Sequence, residues 1–457
     1  MEISFIIFQI LKNWWWFFFP IIFWFLAKTL YLWWIRWEVW YPKSKWILLE
    51  IKPPKEVLKP FSAMENVFSM LWGIFDGPNW RERWCEGMLP VGGGLWFSFE
   101  IVSFGGEIHF FMRIPEPFRN TAEFVIYSQY PEAEISLAED YTQNVPKDIP
   151  NDKWDLYSED YSLIKPDHFP IKTYSAFFEK EAEEKRVMEE KRMDPMDSLL
   201  EGLSRFQSGE QIWLQIVCCP ITSDMFPHWI SKGREAADRV ARRPAPVKPK
   251  SLFEEAAELL ISGKSSEEKK EKPMELIAPE LRLTPGEREV LTAIENKIKK
   301  YGFYCWIRQV YLCKIDEPHS FGNYKTIRTY LMGQFMAQNL NAFIYYGPTR
   351  TRIHYWLRDR RLFLRKRQRL RSYIERLPSL FPRTFSGEPL FPFGHKQGRS
   401  PGIRATIVLN IEELATIFHF PAKIITSAIT PVEMKKAGPP PGLPVEEKKE
   451  EMPPPEE

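Results

Sequence analysis

The sequence predicts an α+β protein: an N-terminal transmembrane helix, two ferredoxin-like (split βαβ) units and a disordered C-terminal tail. Three observations predict it. Residues 3–35 are almost continuously apolar. Residues 46–141 alternate between strand and helix periodicity in the order β-α-β-β-α-β, which is the split βαβ arrangement. Residues 437–457, AGPPPGLPVEEKKEEMPPPEE, are proline-rich and acidic, a composition that buries too little apolar surface to fold.

The apolar stretch comes first. Between residues 13 and 35 only Lys28 is charged, and about 20 apolar residues suffice to cross a bilayer core as helix. Its tryptophans suit the interfacial belts. No basic leader precedes it and no small-x-small site follows, which argues against a signal peptide. Glu2 and Lys12 stand before it, whereas Lys28, Arg36, Lys43, Lys45 and Lys52 lie towards its end or after it. The positive-inside rule therefore predicts a single-pass protein of the cell's inner (cytoplasmic) membrane, with the bulk of the chain cytoplasmic. The five scattered cysteines, an odd number without clustering, agree with a reducing compartment.

The first α/β unit covers 41–145. WILLEIK reads as a strand and stops at Pro53-Pro54. Ser62-Ala63-Met64-Glu65 fits a capping box, followed by an apolar stripe of Ala63, Val67, Met70, Leu71 and Ile74. Leu95, Phe97, Phe99 and Ile101 alternate, Gly105-Gly106 supplies the positive-φ positions of a two-residue hairpin, and Ile108, Phe110, Met112 and Ile114 resume the alternation. Pro115 and Pro117 open a helix over Phe118, Ala122, Val125 and Gln129, and Ile135 and Leu137 make a last short strand.

A polar connector and a charged helix occupy 146–195. Its acidic run, residues 142–170, lacks the D-x-D-x-D-G order of a calcium loop and reads as a solvated loop. A second α/β unit spans 196–243 and 281–420, split by a flexible linker at 244–280. Its elements are a helix over 198–206, an apolar strand over 211–220, a helix over 226–243, and a helix capped by Thr284-Pro285-Gly286-Glu287. A strand over 303–315, a helix over 324–340, a strand over 342–346 and a strand with helix over 404–420 complete it, the last with Asn410 as N-cap. The tail runs over 421–457.

No constellation indicates an enzyme. Gly263-Lys264-Ser265 has Glu258 where a P-loop requires glycine. Gly92-Gly93-Gly94 precedes a strand rather than a helix, and no G-x-S-x-G is present. No CxxC, HExxH or histidine cluster suggests a metal. No catalytic residue, cofactor or metal is expected.

Net charge is only +2, yet residues 349–372, TRTRIHYWLRDRRLFLRKRQRLRS, hold ten arginines or lysines against one acid, Asp359. The candidate contact residues are Arg358, Arg360, Arg361, Arg365, Lys366, Arg367, Arg369 and Arg371. Three readings stay open: nucleic-acid phosphates, anionic lipid, or a solvated helix docked on an acidic partner.

Three stretches together carry a resemblance: SAMENVFSMLWGIFDGP, then WFSFEIVSFGGEIHFFMRIPEPFRNTAEFVIYSQYPEAEI, then LNIEELATIFHFP followed by GPPPGLP. The chain resembles the non-ATPase N-terminal region of membrane-associated type IV secretion-like proteins. These belong to the bacterial conjugation and HerA/FtsK-type DNA-translocase group, in versions typical of small uncultured bacteria. The resemblance implies a non-catalytic accessory or platform subunit of a DNA or protein transfer apparatus, docking a separately encoded P-loop ATPase; the sequence leaves oligomerisation open. It departs from the family in carrying no Walker motif. The alternative is a membrane-tethered nucleic-acid-binding protein using 349–372.

Overall fold

A computed structural model describes residues 44–54, 60–74, 96–177, 194–221, 226–243, 283–337, 339–354, 357–376 and 406–421, with scattered helical positions between 9 and 34. The elements of the first half are β1 (Trp46–Lys52), α1 (Phe61–Trp72), β2 (Phe97–Phe104), β3 (Glu107–Pro115), α2 (Arg119–Gln129) and β4 (Glu134–Ala138). Then come β5 (Trp154–Leu163), α3 (Pro195–Ser204), β6 (Glu210–Pro220), α4 (Phe226–Val240), α5 (Pro285–Ile298), β7 (Gly302–Lys314) and β8 (Phe343–Tyr345). The described chain closes with α6 (Arg358–Ile374), β9 (Ile407–Asn410) and α7 (Ile411–Ile417).

All nine strands form one antiparallel sheet in the order β4-β1-β3-β2-β6-β7-β5-β8. β9 pairs with Gly302 to Cys305 of β7, just beyond the stretch of β7 that pairs with β5. Outward from the β2–β6 junction both halves run second strand, third, first, fourth. The junction is long, from Phe97 opposite Cys218 to Phe104 opposite Gln211, so the halves share one ladder.

Strand alternation assigns the two faces. Phe97, Phe99 and Ile101 of β2, Leu214 and Ile216 of β6, and Phe303 and Ile307 of β7 meet the apolar stripes of α1, α2, α3 and α7 in one buried core. The opposite face carries a smaller cluster, Val102, Trp213, Val310 and Leu312, covered by Leu370 and Tyr373 of α6. The β2–β3 hairpin turns on Gly105 and Gly106, at φ 57° and 98°; a Cβ on Gly106 would also meet the Ser204 carbonyl oxygen at 2.8 Å. α4 and α5 pack so closely at Gly233 that a Cβ there would lie 2.2 Å from the Ile298 side chain.

The expected fold class requires correction. Among the described residues the chain is α+β, built on a single nine-stranded sheet rather than on a membrane helix followed by separate units. Most of the expected span over 13–35 lies outside the described residues. Among the described residues no helix is long and apolar enough to cross a membrane. The single-pass topology, the inner-membrane localisation and the membrane-tether reading are therefore withdrawn.

Three local expectations also change. α1 starts at Phe61 with Pro60 as N-cap and no side-chain cap. Glu65 instead accepts from Lys300 Nζ at 2.8 Å and Tyr174 Oη at 2.9 Å. The helix expected over 324–340 is three short pieces: 3-10 over Phe321–Lys325, α over Thr326–Thr329 and π over Tyr330–Gln334. The acidic connector, read as a solvated loop, contains β5, whose residues from Leu156 to Leu163 are all buried. The linker over 244–280 and most of the charged helix and tail lie outside the described residues.

Candidate functional site

α6 is built from good helix formers, arginine, leucine, lysine and glutamine. It lies across the sheet face opposite the other core helices. Tyr373 packs on Trp213 with ring centroids 5.3 Å apart, and Trp213 in turn meets Tyr141 at 5.1 Å. Leu357, just before the helix, is held in the left-handed region at φ 53° and is 59 % exposed.

The basic residues of this helix divide into two sets. Lys366 and Arg369 point inward and pair with Asp155 and Asp160 of β5. Arg376, two residues past the helix, is fully buried. Its Nε and Nη2 donate to the Glu100 carboxylate of β2 at 3.0 and 3.1 Å, and Nη2 also reaches Asp140 at 3.1 Å. Tyr141 Oη, Ser98 Oγ and Gln215 Nε2 donate to the same Glu100 at 2.6, 2.8 and 2.8 Å. Burial by itself would raise the Glu100 carboxyl. The Arg376 guanidinium and the two hydroxyls more than offset it and hold the group below the usual carboxylate range. Beside them the buried Arg308 of β7 donates to the Ser372 carbonyl at 2.9 Å, and burial pushes its guanidinium down to about 10 against the pull of Asp160.

The other set faces outward. Arg358, Arg360, Arg361, Arg367 and Arg371 are exposed, and Arg365 is half-buried, donating to the Arg350 carbonyl at 2.8 Å. Arg367 reaches the Asp148 carbonyl at 3.2 Å and lies over Phe363 at 4.4 Å. Arg371 pairs with Glu375 at 2.8 Å. Phe363 and Leu364 are exposed between these cations. From Arg358 to Arg371 the row runs about 20 Å at 1.5 Å per residue.

Of the eight candidates read from the sequence, the structure thus leaves Arg358, Arg360, Arg361, Arg367 and Arg371 exposed and Arg365 half-buried, and it takes Lys366 and Arg369 into the fold. Sequence reasoning missed the acids that neutralise the inner set. The available signal was in WDLYSEDYSL: Trp154 and Leu156 alternate with Tyr157, and Tyr161 follows at even spacing, as in a strand with two buried faces. On the face of β5 opposite Asp160, Glu159 accepts from Arg328 Nε at 2.8 Å, Gln309 at 3.0 Å, Tyr161 at 3.0 Å and Tyr157 at 2.7 Å. All its acceptor capacity is used within the fold.

Elsewhere on the surface, His109 Nδ1 lies 2.7 Å from Glu50, and this hydrogen bond keeps the Glu50 carboxyl low. Among the described residues no group of three or more His, Cys, Asp or Glu side chains is placed to hold a metal ion. No protein-family model matches the chain, and no curated protein matches it. The resemblance to the DNA-translocase group therefore rests on the three quoted stretches.

Proposed function

We propose that the chain is a non-catalytic nucleic-acid-binding protein whose contact surface is the outward side of α6. The observation that supports it is the partition of charge. Once the inner cations are neutralised by Asp155 and Asp160 of β5, the outer side still carries Arg358, Arg360, Arg361, Arg365, Arg367 and Arg371. Opposing them are the exposed Asp359 and the half-buried Glu375, the latter already engaged by Arg371. Guanidinium groups match phosphate oxygens in bidentate geometry, and a helix packed on a sheet presents them from an already ordered backbone. The resemblance to a DNA-translocase group supports the same reading, with a P-loop ATPase as the accompanying partner.

Replacing Arg358, Arg360, Arg361, Arg367 and Arg371 with glutamine tests this. The parent chain is expected to bind duplex DNA with a slope of log K on log salt near −4 to −5, as roughly 5 phosphate contacts require. The variant is expected to lose both the slope and the affinity. Its thermal midpoint is expected to stay within a few degrees, because exposed substitutions change stability by about 0.5 kcal/mol or less. Unchanged DNA affinity in the variant, or binding only to anionic vesicles, would overturn the reading.

A further inference from the structure

The sheet ends at β4, and among the described residues no strand pairs with its outer side. A bare strand edge is a template for another strand. Its backbone donors are identifiable. The Ile135 amide donates to Tyr127 Oη at 3.3 Å, a long bond to a neutral hydroxyl of α2. That amide therefore points away from β1, and the alternation of a strand sends the Leu137 amide the same way.

Beside the edge lies an apolar shelf. Ile135 and Leu137 stand on the helix-bearing face, opposite Ile51 and Leu49 of β1. Leu137 is 58 % exposed, and Phe124 and Tyr127 of α2 are 66 % and 39 % exposed. A further strand would lay every second side chain on this shelf. The rim is acidic: Glu132, Glu134 and Glu139 are all exposed. The two cations close by already face acids, Lys52 with Glu134 at 4.0 Å and Arg119 with Glu123 at 2.7 Å. A second copy pairing β4 to β4 would bring both sets of glutamates together, and like charges across a strand pair are destabilising.

We propose that the edge of β4 left unpaired among the described residues is a strand-addition site for an extended segment of a partner protein in which apolar and basic residues alternate. The backbone of that segment replaces the Tyr127 hydroxyl at Ile135 and takes the free groups of Leu137. Its apolar residues cover Phe124, Tyr127 and Leu137, and its basic residues meet the rim glutamates. This is the mode in which main-chain bonds supply affinity and alternate side chains supply selectivity. The site is separate from the arginine row of α6, which repels such a segment.

The test uses the full chain and a fluorescent peptide of alternating valine and lysine about eight residues long, a usual strand length. A control peptide of the same sequence carries N-methyl groups on alternate amides. The plain peptide is expected to bind at least about tenfold more tightly than the control, since the lost main-chain hydrogen bonds are each worth about 1 kcal/mol. The chain with Glu132→Gln and Glu139→Gln is expected to bind it about fivefold more weakly, the equivalent of two exposed ion pairs. Leu137→Ser with Phe124→Ser is expected to weaken it further while leaving the thermal midpoint in place. Equal binding of both peptides, no binding of either, or indifference to all four substitutions would overturn the proposal. So would concentration-dependent dimerisation of the parent that Leu137→Ser abolishes, because the occupant would then be a second copy.

Discussion

Arg376→Leu is expected to destabilise the fold by about 3–5 kcal/mol, the range for removing one partner of a buried ion pair, and to reverse the pH dependence of its stability. Arg376 lies at φ 50°, a left-handed position at a helix C-terminus where glycine is usual. An arginine there costs roughly 1 kcal/mol in the backbone, and its side-chain bonds to Glu100 and Asp140 offset that. In the parent, both carboxyls titrate below their ordinary values: burial would raise each, and Arg376 together with the hydrogen bonds from Tyr141 and Ser98 to Glu100 and from Thr142 to Asp140 outweighs burial. Their contribution is therefore present above the ordinary carboxylate range and is lost as pH falls through the depressed values. In the variant, burial acts on Glu100 without the guanidinium, so its value rises above that of the unfolded chain. The contribution is then largest below about pH 4 and is lost as pH rises towards neutrality. Urea unfolding of parent and variant across this range measures the difference. Glu100→Gln added to Arg376→Leu is expected to restore most of the loss at neutral pH. Parallel pH profiles, or a loss below about 1 kcal/mol, would show that the knot contributes little.

The same knot shows which parts of the fold were legible in the sequence. β1, β2, β3, β6 and β7 alternate cleanly or run apolar, and each was placed within two or three residues of its observed bounds. Glycine pairs and caps were legible for local reasons: Gly105 and Gly106 both take positive φ, and Thr284 and Asn410 both form capping boxes. Ser62 has the same capping spacing and forms none, because Glu65 is drawn to Lys300 and Tyr174, partners far along the chain. β5 was lost because Asp155, Glu159 and Asp160 read as solvated acids. Each is compensated by a cation more than a hundred residues away, as in Arg328 with Glu159 and Lys366 with Asp155. Single-sequence patterning prices a charge as exposed, so a strand carrying paired buried charges reads as a loop.

The basic segment failed in the complementary way. Its composition was legible and its orientation was not. Helical periodicity places Leu370 and Tyr373 on one side. The same spacing puts Arg369, four before Tyr373, and Lys366, four before Leu370, on that side; nothing local supplies the acids that let them be buried there, because those acids lie in a stretch assigned to a loop. The acidic partner that the sequence reading left as one of three alternatives is thus, for the inner residues, this chain's own β5. What remains for an external ligand is the smaller outward row, and a binding variant that includes Arg369 would report on folding instead of contact.

Lys297→Met is expected to have an effect of similar size, about 3–5 kcal/mol, at the other side of the sheet. Lys297 of α5 and Glu413 of α7 have fully buried side chains, with Nζ 2.9 Å from Oε2. The lysine also donates to the Val408 carbonyl of β9 at 3.1 Å. The glutamate accepts from the backbone amides of Ile171 and Asn410, both at 2.9 Å, the second closing the capping box of α7. The pair thus ties α5, β9, α7 and the chain near Ile171 at one point. Burial keeps the Glu413 carboxyl above its ordinary value even with Lys297 and the two amides opposing. Its contribution is full below the ordinary carboxylate range and falls as pH rises through the raised value; removing the lysine raises that value further and steepens the fall. Glu413→Gln in the Lys297→Met background is expected to recover most of the loss, since glutamine keeps an oxygen for the cap and leaves no charge buried. Hydrogen exchange gives the local readout. Amides where β9 pairs with β7, Val408 opposite Tyr304 and Leu409 opposite Phe303, are expected to lose protection in Lys297→Met before those of the β2–β6 junction. Lys300 is the internal comparison. It bridges Glu65 and Glu412 at 2.8 and 2.9 Å but is partly exposed, so Lys300→Met is expected to cost only about 1 kcal/mol or less. Equal losses for the two lysine variants would refute the argument that burial, and not the ion pair itself, sets the size of the effect.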